Sequence, residues 1–115
     1  MYLLVNQKNE TVAYVQNMMI LDATQEHVIG ILIGDCFFGK KEHKLVGKIF
    51  NQTAYLVNGE IAAKLVLNKD YKSASIKKSL MNEAWDILMN ITEHTSTWIN
   101  ESKKWSKLSL IDHLK

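Results

Sequence analysis

Four consecutive blocks of 17 residues decide the fold of this chain: MYLLVNQKNETVAYVQN (1–17), MMILDATQEHVIGILIG (18–34), DCFFGKKEHKLVGKIFN (35–51) and QTAYLVNGEIAAKLVLN (52–68). Position four is apolar in every block: Leu4, Leu21, Phe38 and Tyr55. Position 13 is small when the fourth turn is taken as one residue shorter: Ala13, Gly30, Gly47 and Ala63. Position 15 is aliphatic: Val15, Leu32, Ile49 and Leu65. Agreement in three columns indicates a tandem repeat whose units bury their apolar faces together.

Each block has the pattern of a β-hairpin. First strands such as Tyr2–Val5 and Cys36–Phe38 are apolar or aromatic. The four turns are polar: Asn6–Glu10, Ala23–His27, Lys40–Lys44 and Asn58–Glu60. Asn58-Gly59 predicts a two-residue type I′ turn, which needs positive φ at both central residues. A single hairpin cannot bury its own apolar face, so we expect the four hairpins to share one core.

The second strand of each block carries a large–small–large stripe. Period-two alternation predicts that positions 11, 13 and 15 share one face, as Val28, Gly30 and Leu32 do in the second block. The small residue indicates that backbones converge where only glycine or alanine fits. Position 14 points the other way and is mixed: Tyr14, Ile31, Lys48 and Lys64. A closed ring of such hairpins would also leave no exposed strand edge.

Four tandem hairpins that each end in a small-residue–x–aliphatic step, such as Gly47-Lys48-Ile49, resemble the bacterial four-fold β-flower proteins. The resemblance covers residues 1–68. It implies four hairpins that radiate around a pseudo-fourfold axis in a bacterial protein, and it supplies no catalytic residues. A small barrel, such as an SH3-like one, is the competing arrangement.

The composition changes after about Asn68, since all five glycines lie at or before Gly59 and proline is absent. Apolar residues then recur at helical spacing and form one wide apolar face: Ile76, Leu80, Ala84, Leu88 and Ile91, joined by Met81, Trp85 and Ile87. The candidate N-caps of this helix are Asn68, Asp70, Ser73 and Ser75. A second helix is suggested by Trp98, Ile99, Ser102, Trp105 and Leu108, and a last turn by Leu110, Ile111 and Leu114. We therefore predict an α+β chain with a four-hairpin repeat domain at 1–68 and a helical appendage at 69–115 that packs on it.

Bulk composition narrows the classes of function. The net charge is +2, and all 14 basic residues are lysine, so no arginine is present for bidentate phosphate or base recognition. Cys36 is the one cysteine, which rules out an internal disulfide and favours a reducing cytoplasm. No apolar run has the length of a transmembrane segment or the setting of a signal peptide.

No motif in the sequence predicts catalysis or a cofactor. His27 and His43 lie in repeat turns, but two turn histidines fall short of the three or four ligands of a metal site. Cys36, beside two phenylalanines, is interpreted as a small core residue or a half-exposed thiol and not as a nucleophile. Phosphate-binding glycine loops, paired carboxylates, CxxC and nucleophile-elbow patterns are absent from the sequence. We predict no enzyme activity, no metal and no cofactor.

Binding to another protein is the predicted role. Trp98, Trp105 and Leu108 are the candidate contact residues for a protein partner or a homo-oligomer, because tryptophan is enriched in interface hot spots. The predicted function is a non-enzymatic interaction module, for example a small adaptor, inhibitor or immunity-type protein.

The alternative is a weak binder of nucleic acid or another polyanion. Its candidate residues are Lys40, Lys41 and Lys44, with a second cluster at Lys103, Lys104 and Lys107. No sequence-specific nucleic-acid recognition is expected.

Overall fold

Eight antiparallel strands close into a barrel. The computed structural model describes residues 2–67, 77–92 and 99–115. The strands are β1 Tyr2–Val5, β2 Thr11–Gln16, β3 Met19–Asp22, β4 Val28–Ile33, β5 Cys36–Gly39, β6 Leu45–Phe50, β7 Thr53–Leu56 and β8 Ile61–Leu67. Each strand pairs with its neighbours in sequence, and β1 pairs with β8 to close the sheet. The prediction of tandem hairpins in a ring or small barrel, followed by helix, is confirmed at the level of a closed eight-stranded barrel with added helices.

The four hairpin turns lie where the polar segments predicted them. Each contains one residue with positive φ: Asn9, Gln25, His43 and Gly59. The type I′ prediction for Asn58-Gly59 is wrong, because Gly59 has positive φ and Asn58 does not. The Gly59 N–H donates to Leu56 O at 2.8 Å and the Leu56 N–H donates to Glu60 O at 2.9 Å, which makes a three-residue loop. Such a loop needs one left-handed residue, and the Asn58 side chain supports it by accepting from the Glu60 N–H at 2.9 Å.

Successive hairpins are joined by two-residue links at the block boundaries. The links are Asn17-Met18, Gly34-Asp35 and Asn51-Gln52. Position 17 of the first three blocks, which is Asn17, Gly34 and Asn51, has positive φ. Asparagine and glycine tolerate this conformation best, so position 17 sets the turn from one hairpin into the next.

A β-bulge interrupts the second strand of every hairpin at the same place. The pairing registers skip one residue in each case: Val12, Ile29, Val46 and Ala62. An extra residue inverts the alternation of side chains on either side of it. Position 11 therefore lies outside the barrel, as Val28 does, while Ala13 and Val15 lie in the interior cluster. The prediction that positions 11, 13 and 15 share a face is wrong for position 11.

The apolar residues at position four of the blocks do not all lie on the same side of the sheet. Leu4 lies in the barrel interior, whereas Leu21 and Phe38 pack outside it. Leu4 pairs with Ala13, and in the other hairpins this interior place is held by a residue at position three: Ile20, Phe37 and Ala54. The first strand is thus offset by one residue from the other three, which the 17-residue alignment does not reveal.

A short C-terminal helix completes the interior. This helix, which we call the terminal helix, spans Leu110–Leu114 and packs against β2, β4 and β5. Its two buried leucines belong to the same cluster as the interior residues of the strands. Ser109 and Asp112 form a capping box, and the Lys41 N–H donates to Leu114 O at 2.9 Å. Because β2 and β5 are not neighbours, a helix that contacts both lies across one end of the barrel.

The segment at 99–109, before the terminal helix, is not helical, so the second helix predicted over Trp98–Leu108 is wrong for its described residues. The Ile61 N–H donates to Lys104 O and the Ser106 N–H donates to Ile61 O, both at 2.8 Å. These bonds add a parallel bridge between Ile61 and Trp105. The apolar residues of this segment are spaced by its contact with the barrel and not by a helical repeat.

The first helix, α1, spans Lys78–Asn90 and packs outside the barrel. It buries Leu80 and Ile87 against a cluster of strand residues: Met19, Leu21, Val28, Ile31 and Phe38. Its N-cap is Lys77, with no side-chain cap, so α1 has a different N-cap from the four predicted ones, which lie outside the described residues. Ile76 lies outside the described residues. Position 14 of the blocks, which carries both apolar and charged residues, shows which part of the barrel α1 covers. Ile31 lies under α1, whereas Lys64 is exposed. Within the described ranges, neither helix has the length and apolarity needed to cross a bilayer.

Candidate functional site

An apolar stripe lies on the outer side of α1. Met81, Trp85 and Met89 follow one another at intervals of four residues, so they lie on one face of the helix. Their side chains are 46%, 57% and 77% exposed. We call these three residues the α1 stripe.

The α1 stripe borders an apolar cleft between the helix and the link from β2 to β3. The cleft has a volume of about 250 Å³. Its lining is apolar except for one asparagine: Asn17, Met18, Met19, Ile31, Met81, Ala84, Trp85 and Leu88. Met18 is half exposed at the tip of the link, where the positive φ of Asn17 turns the chain. Methionine side chains are flexible and polarizable, and they adapt to differently shaped partners.

The sequence explains why this surface stays open. The apolar face of α1 is too wide for one side of a helix to bury, since it includes both Leu80 and Met81 and both Ala84 and Trp85. The barrel covers the side that carries Leu80 and Ile87. Sequence reasoning noted the width of this face but did not identify the part left uncovered, and that excess width is the signal that points to it.

A polar contact fixes α1 to the second hairpin turn. Glu83 Oε1 lies 3.3 Å from His27 Nδ1, and it accepts from the Val28 N–H at 3.4 Å. His43 lines a neighbouring cleft together with Lys40, Glu83 and Asp86 among others. Within residues 2–67, 77–92 and 99–115, no group of three or more His, Cys, Asp or Glu side chains is placed to hold a metal ion.

Cys36 is a half-buried thiol at the start of β5. Its Sγ donates to Asp35 Oδ1 at 3.5 Å. Burial raises the pKa of the Cys36 thiol, the Asp35 carboxylate raises it further, and Lys48 opposes both. A raised pKa keeps the sulfur protonated at neutral pH, which is the opposite of what activates a cysteine nucleophile.

Two of the predicted contact residues, Trp105 and Leu108, lie at the end of the barrel that carries the hairpin turns. Trp105 is half buried and packs with Ile61 and Ile99, so much of its side chain serves to hold the C-terminal segment. Leu108 is 57% exposed and lines a cleft with Trp105 and the first hairpin turn. Trp98 lies outside the described residues.

The predicted lysine patch lies on the third hairpin turn. Lys40, Lys41 and Lys44 are all exposed, with Glu42 between them. Lys40 borders the cleft of His43, whereas Trp105 and Leu108 border a different one. The structure therefore does not bring the lysines and the tryptophan together into one site.

Comparison with protein-family models, with curated proteins and with solved structures gave no match for this chain. The resemblance to β-flower proteins accordingly stays a prediction.

Asp22 is the one acidic residue in the described chain whose pKa the turn geometry clearly lowers. Its carboxylate accepts from Thr24 Oγ1 at 2.8 Å, from the Glu26 N–H at 3.0 Å and from the His27 N–H at 3.4 Å. Partial burial alone would raise the pKa of Asp22, but these hydrogen bonds and the charge of His27 hold it below the ordinary value of 3.8. The ionised form is thus favoured by folding.

Asp22→Ala is expected to lower the free energy of unfolding by about 1–2 kcal/mol at pH 7, because it removes hydrogen bonds to a charged group. A lowered pKa contributes stability above the unfolded pKa and loses it as pH falls through the folded one. The cost of Asp22→Ala should therefore shrink below about pH 4 in urea unfolding measured from pH 2.5 to 7.

Asn6→Ala is the matched control for this prediction. The Asn6 side chain is itself uncharged; it accepts from the Lys8 and Glu10 N–H groups at 2.9 Å and donates to the Glu10 carboxylate at 3.1 Å in the first turn. Its cost should vary less with pH than that of Asp22→Ala. An Asp22→Ala cost that varies no more with pH than the Asn6→Ala cost would contradict the role given to the ionised carboxylate.

Proposed function

We propose that this protein is a non-enzymatic protein-interaction module, and that it binds through the α1 stripe and the adjoining cleft. The observation that carries the proposal is the contiguous exposure of Met81, Trp85 and Met89 beside the half-exposed Met18. Isolated exposed apolar residues are ordinary, but contiguous apolar surface marks interaction sites in globular proteins.

The composition of the surface supports a protein as the partner. Tryptophan and methionine are enriched in protein interfaces relative to the rest of the surface, and tryptophan is prominent among hot spots. The cleft lining carries no charged side chain. Such a lining favours an apolar anchor from a partner over a phosphate or another anion.

We also propose that the module is a β-flower protein of a reducing bacterial cytoplasm. The recurring bulge and the recurring small residue in each hairpin are what four equivalent units would produce. The single, half-buried cysteine suits a reducing compartment. A small adaptor, inhibitor or immunity-type protein is the setting that this size and surface fit.

Affinity capture with matched variants tests the proposed function. The tagged full-length chain is incubated with native lysate at low and high salt, with and without nuclease. We expect a protein partner that survives high salt and nuclease, is lost from Met89→Glu and is kept by Leu108→Glu. Loss from Leu108→Glu instead would move the interface to the cleft beside Trp105, and equal recovery on both variants would exclude both surfaces.

A weak polyanion binder is the second candidate, and it rests on the three exposed lysines of the third hairpin turn. Binding to phosphates releases counterions, so affinity falls steeply with salt. If this function holds, the material captured at low salt is nuclease-sensitive and disappears when Lys41 and Lys44 are both changed to glutamate. Those changes leave the α1 stripe intact.

A further inference from the structure

We infer that the occupant of the α1 stripe is a second copy of this chain, bound so that the two α1 helices lie antiparallel across a twofold axis near Trp85. This inference rests on the proposed function and names its partner. It is carried by the spacing of the stripe and by the distribution of charge along α1.

The spacing makes the stripe complementary to itself. Met81 and Met89 lie four residues before and after Trp85. In an antiparallel pair centred on Trp85, Met81 faces the partner's Met89, and the two tryptophans meet at the axis. A twofold interface requires this kind of self-complementarity, because the same patch is used by both copies.

The charged residues of α1 are placed unfavourably with respect to the dipole of the helix. Lys77 and Lys78 stand at the N-terminal end, the first turn has no acidic residue, and the last turn has no basic one. The N-terminal end of a helix carries partial positive charge and the C-terminal end partial negative charge, so these lysines are unfavourable in an isolated α1. The N-cap side chain makes no compensating hydrogen bond.

An antiparallel second copy reverses this unfavourable arrangement. α1 has 13 residues, which is a length of about 20 Å, so two antiparallel copies in register place each C-terminal end beside the other's N-terminal end. Lys77 and Lys78 then lie next to the negative end of the partner helix. Because the axis is twofold, this favourable contact between the lysines of one helix and the negative end of the other forms twice.

The expected dimer is weak. One helix face and the tip of one link make a contact smaller than the roughly 800 Å² per partner of a standard interface. We expect a dissociation constant on the order of 10–100 μM. The dimer should therefore form at high concentration and dissociate on dilution.

Sedimentation velocity of the full-length chain from about 1 μM to 1 mM tests the proposal over the range in which such a dimer dissociates. The average mass should rise from 13.2 kDa toward twice that value. Met89→Lys should weaken association at least about tenfold, since it buries a charge in the contact and places it near the lysines of the partner helix. Leu108→Lys, at a residue as exposed as Trp85 but elsewhere, should leave association unchanged.

Lys78→Glu separates dimerisation from folding. An acidic residue in the first turn favours the helix itself, so the melting temperature of the dilute monomer should rise slightly. The same change places negative charge beside the partner's C-terminal end, so association should weaken several-fold. A variant that was merely misfolded would lose both properties together.

The outcomes distinguish the inference from the proposed function. A chain that stays monomeric at 1 mM while a Met89-dependent protein is captured from lysate excludes the second copy and keeps the module. Association that Met89→Lys and Leu108→Lys weaken equally, or that Lys78→Glu leaves unchanged, overturns the antiparallel arrangement. A monomer whose Met89 resists peroxide oxidation in dilute solution, as a methionine covered by its own chain would, overturns both proposals.

Discussion

Gly47→Ala is expected to lower the free energy of unfolding by about 4 kcal/mol, which is a large part of the stability of a domain of this size. Gly47 lies in β6 between Phe37 on one neighbouring strand and Leu56 on the other. A Cβ atom there would collide with the backbone carbonyl of Tyr55 and come within 2.9 Å of the Phe37 ring. A backbone carbonyl cannot rotate away as a flexible side chain can, so β6 and β7 would have to separate.

Gly34→Ala is the control for this prediction. Gly34 has a φ of +62°, but a Cβ built there meets nothing within 4 Å. Its expected cost is only the roughly 1–2 kcal/mol of a left-handed alanine. Urea unfolding of both variants checks the difference. Equal losses at Gly47 and Gly34 would show that the cost is conformational and that the barrel tolerates a methyl group beside Phe37.

Leu114→Ala is expected to lower the free energy of unfolding by about 3 kcal/mol. Leu114 is fully buried inside the barrel. Its side chain lies 3.4 Å from the place where a Cβ atom built on Gly30 would stand. The backbone around it is also held, because Lys41 donates to its carbonyl. Truncation therefore leaves a cavity at the end of the barrel that the neighbouring strands cannot fill.

Leu108→Ala provides the comparison, since Leu108 belongs to the same C-terminal segment but is 57% exposed. Its cost should stay within about 0.5 kcal/mol. Thermal unfolding by circular dichroism measures both, and Leu114→Ala should lower Tm by roughly 10 °C or more. A Leu114→Ala protein as stable as Leu108→Ala would mean that the terminal helix is not part of the barrel core.

The hairpins were predictable because their signals are local. Polar turns separate apolar strands in every block, and the small residue at position 13 recurs where the interior is crowded, as Gly30 and Gly47 show. Whether the residue at position 11 points into the barrel or out of it was not predictable. A bulge leaves no fixed residue type in the sequence, since Val12, Ile29 and Ala62 all occupy it.

The C-terminal third was harder to predict because its conformation depends on the barrel. The extended segment around Trp105 is fixed by hydrogen bonds to Ile61, and no local pattern reports such a partner. The candidate site also depends on the barrel. Periodicity identified α1 as amphipathic, but which side of its wide apolar face remains uncovered is decided by where the strands lie.

The pairing of β1 with β8 has a consequence for the order of folding. Every other ladder joins strands adjacent in sequence, while this one joins residues 2–5 to residues 64–67. Seven ladders can therefore form by short-loop closure, and the eighth must bring together chain segments about 60 residues apart. Folding should proceed hairpin by hairpin, with the β1–β8 seam as the slow closing step. Mutations at this seam should then act mainly on the folding rate if closure is the transition state.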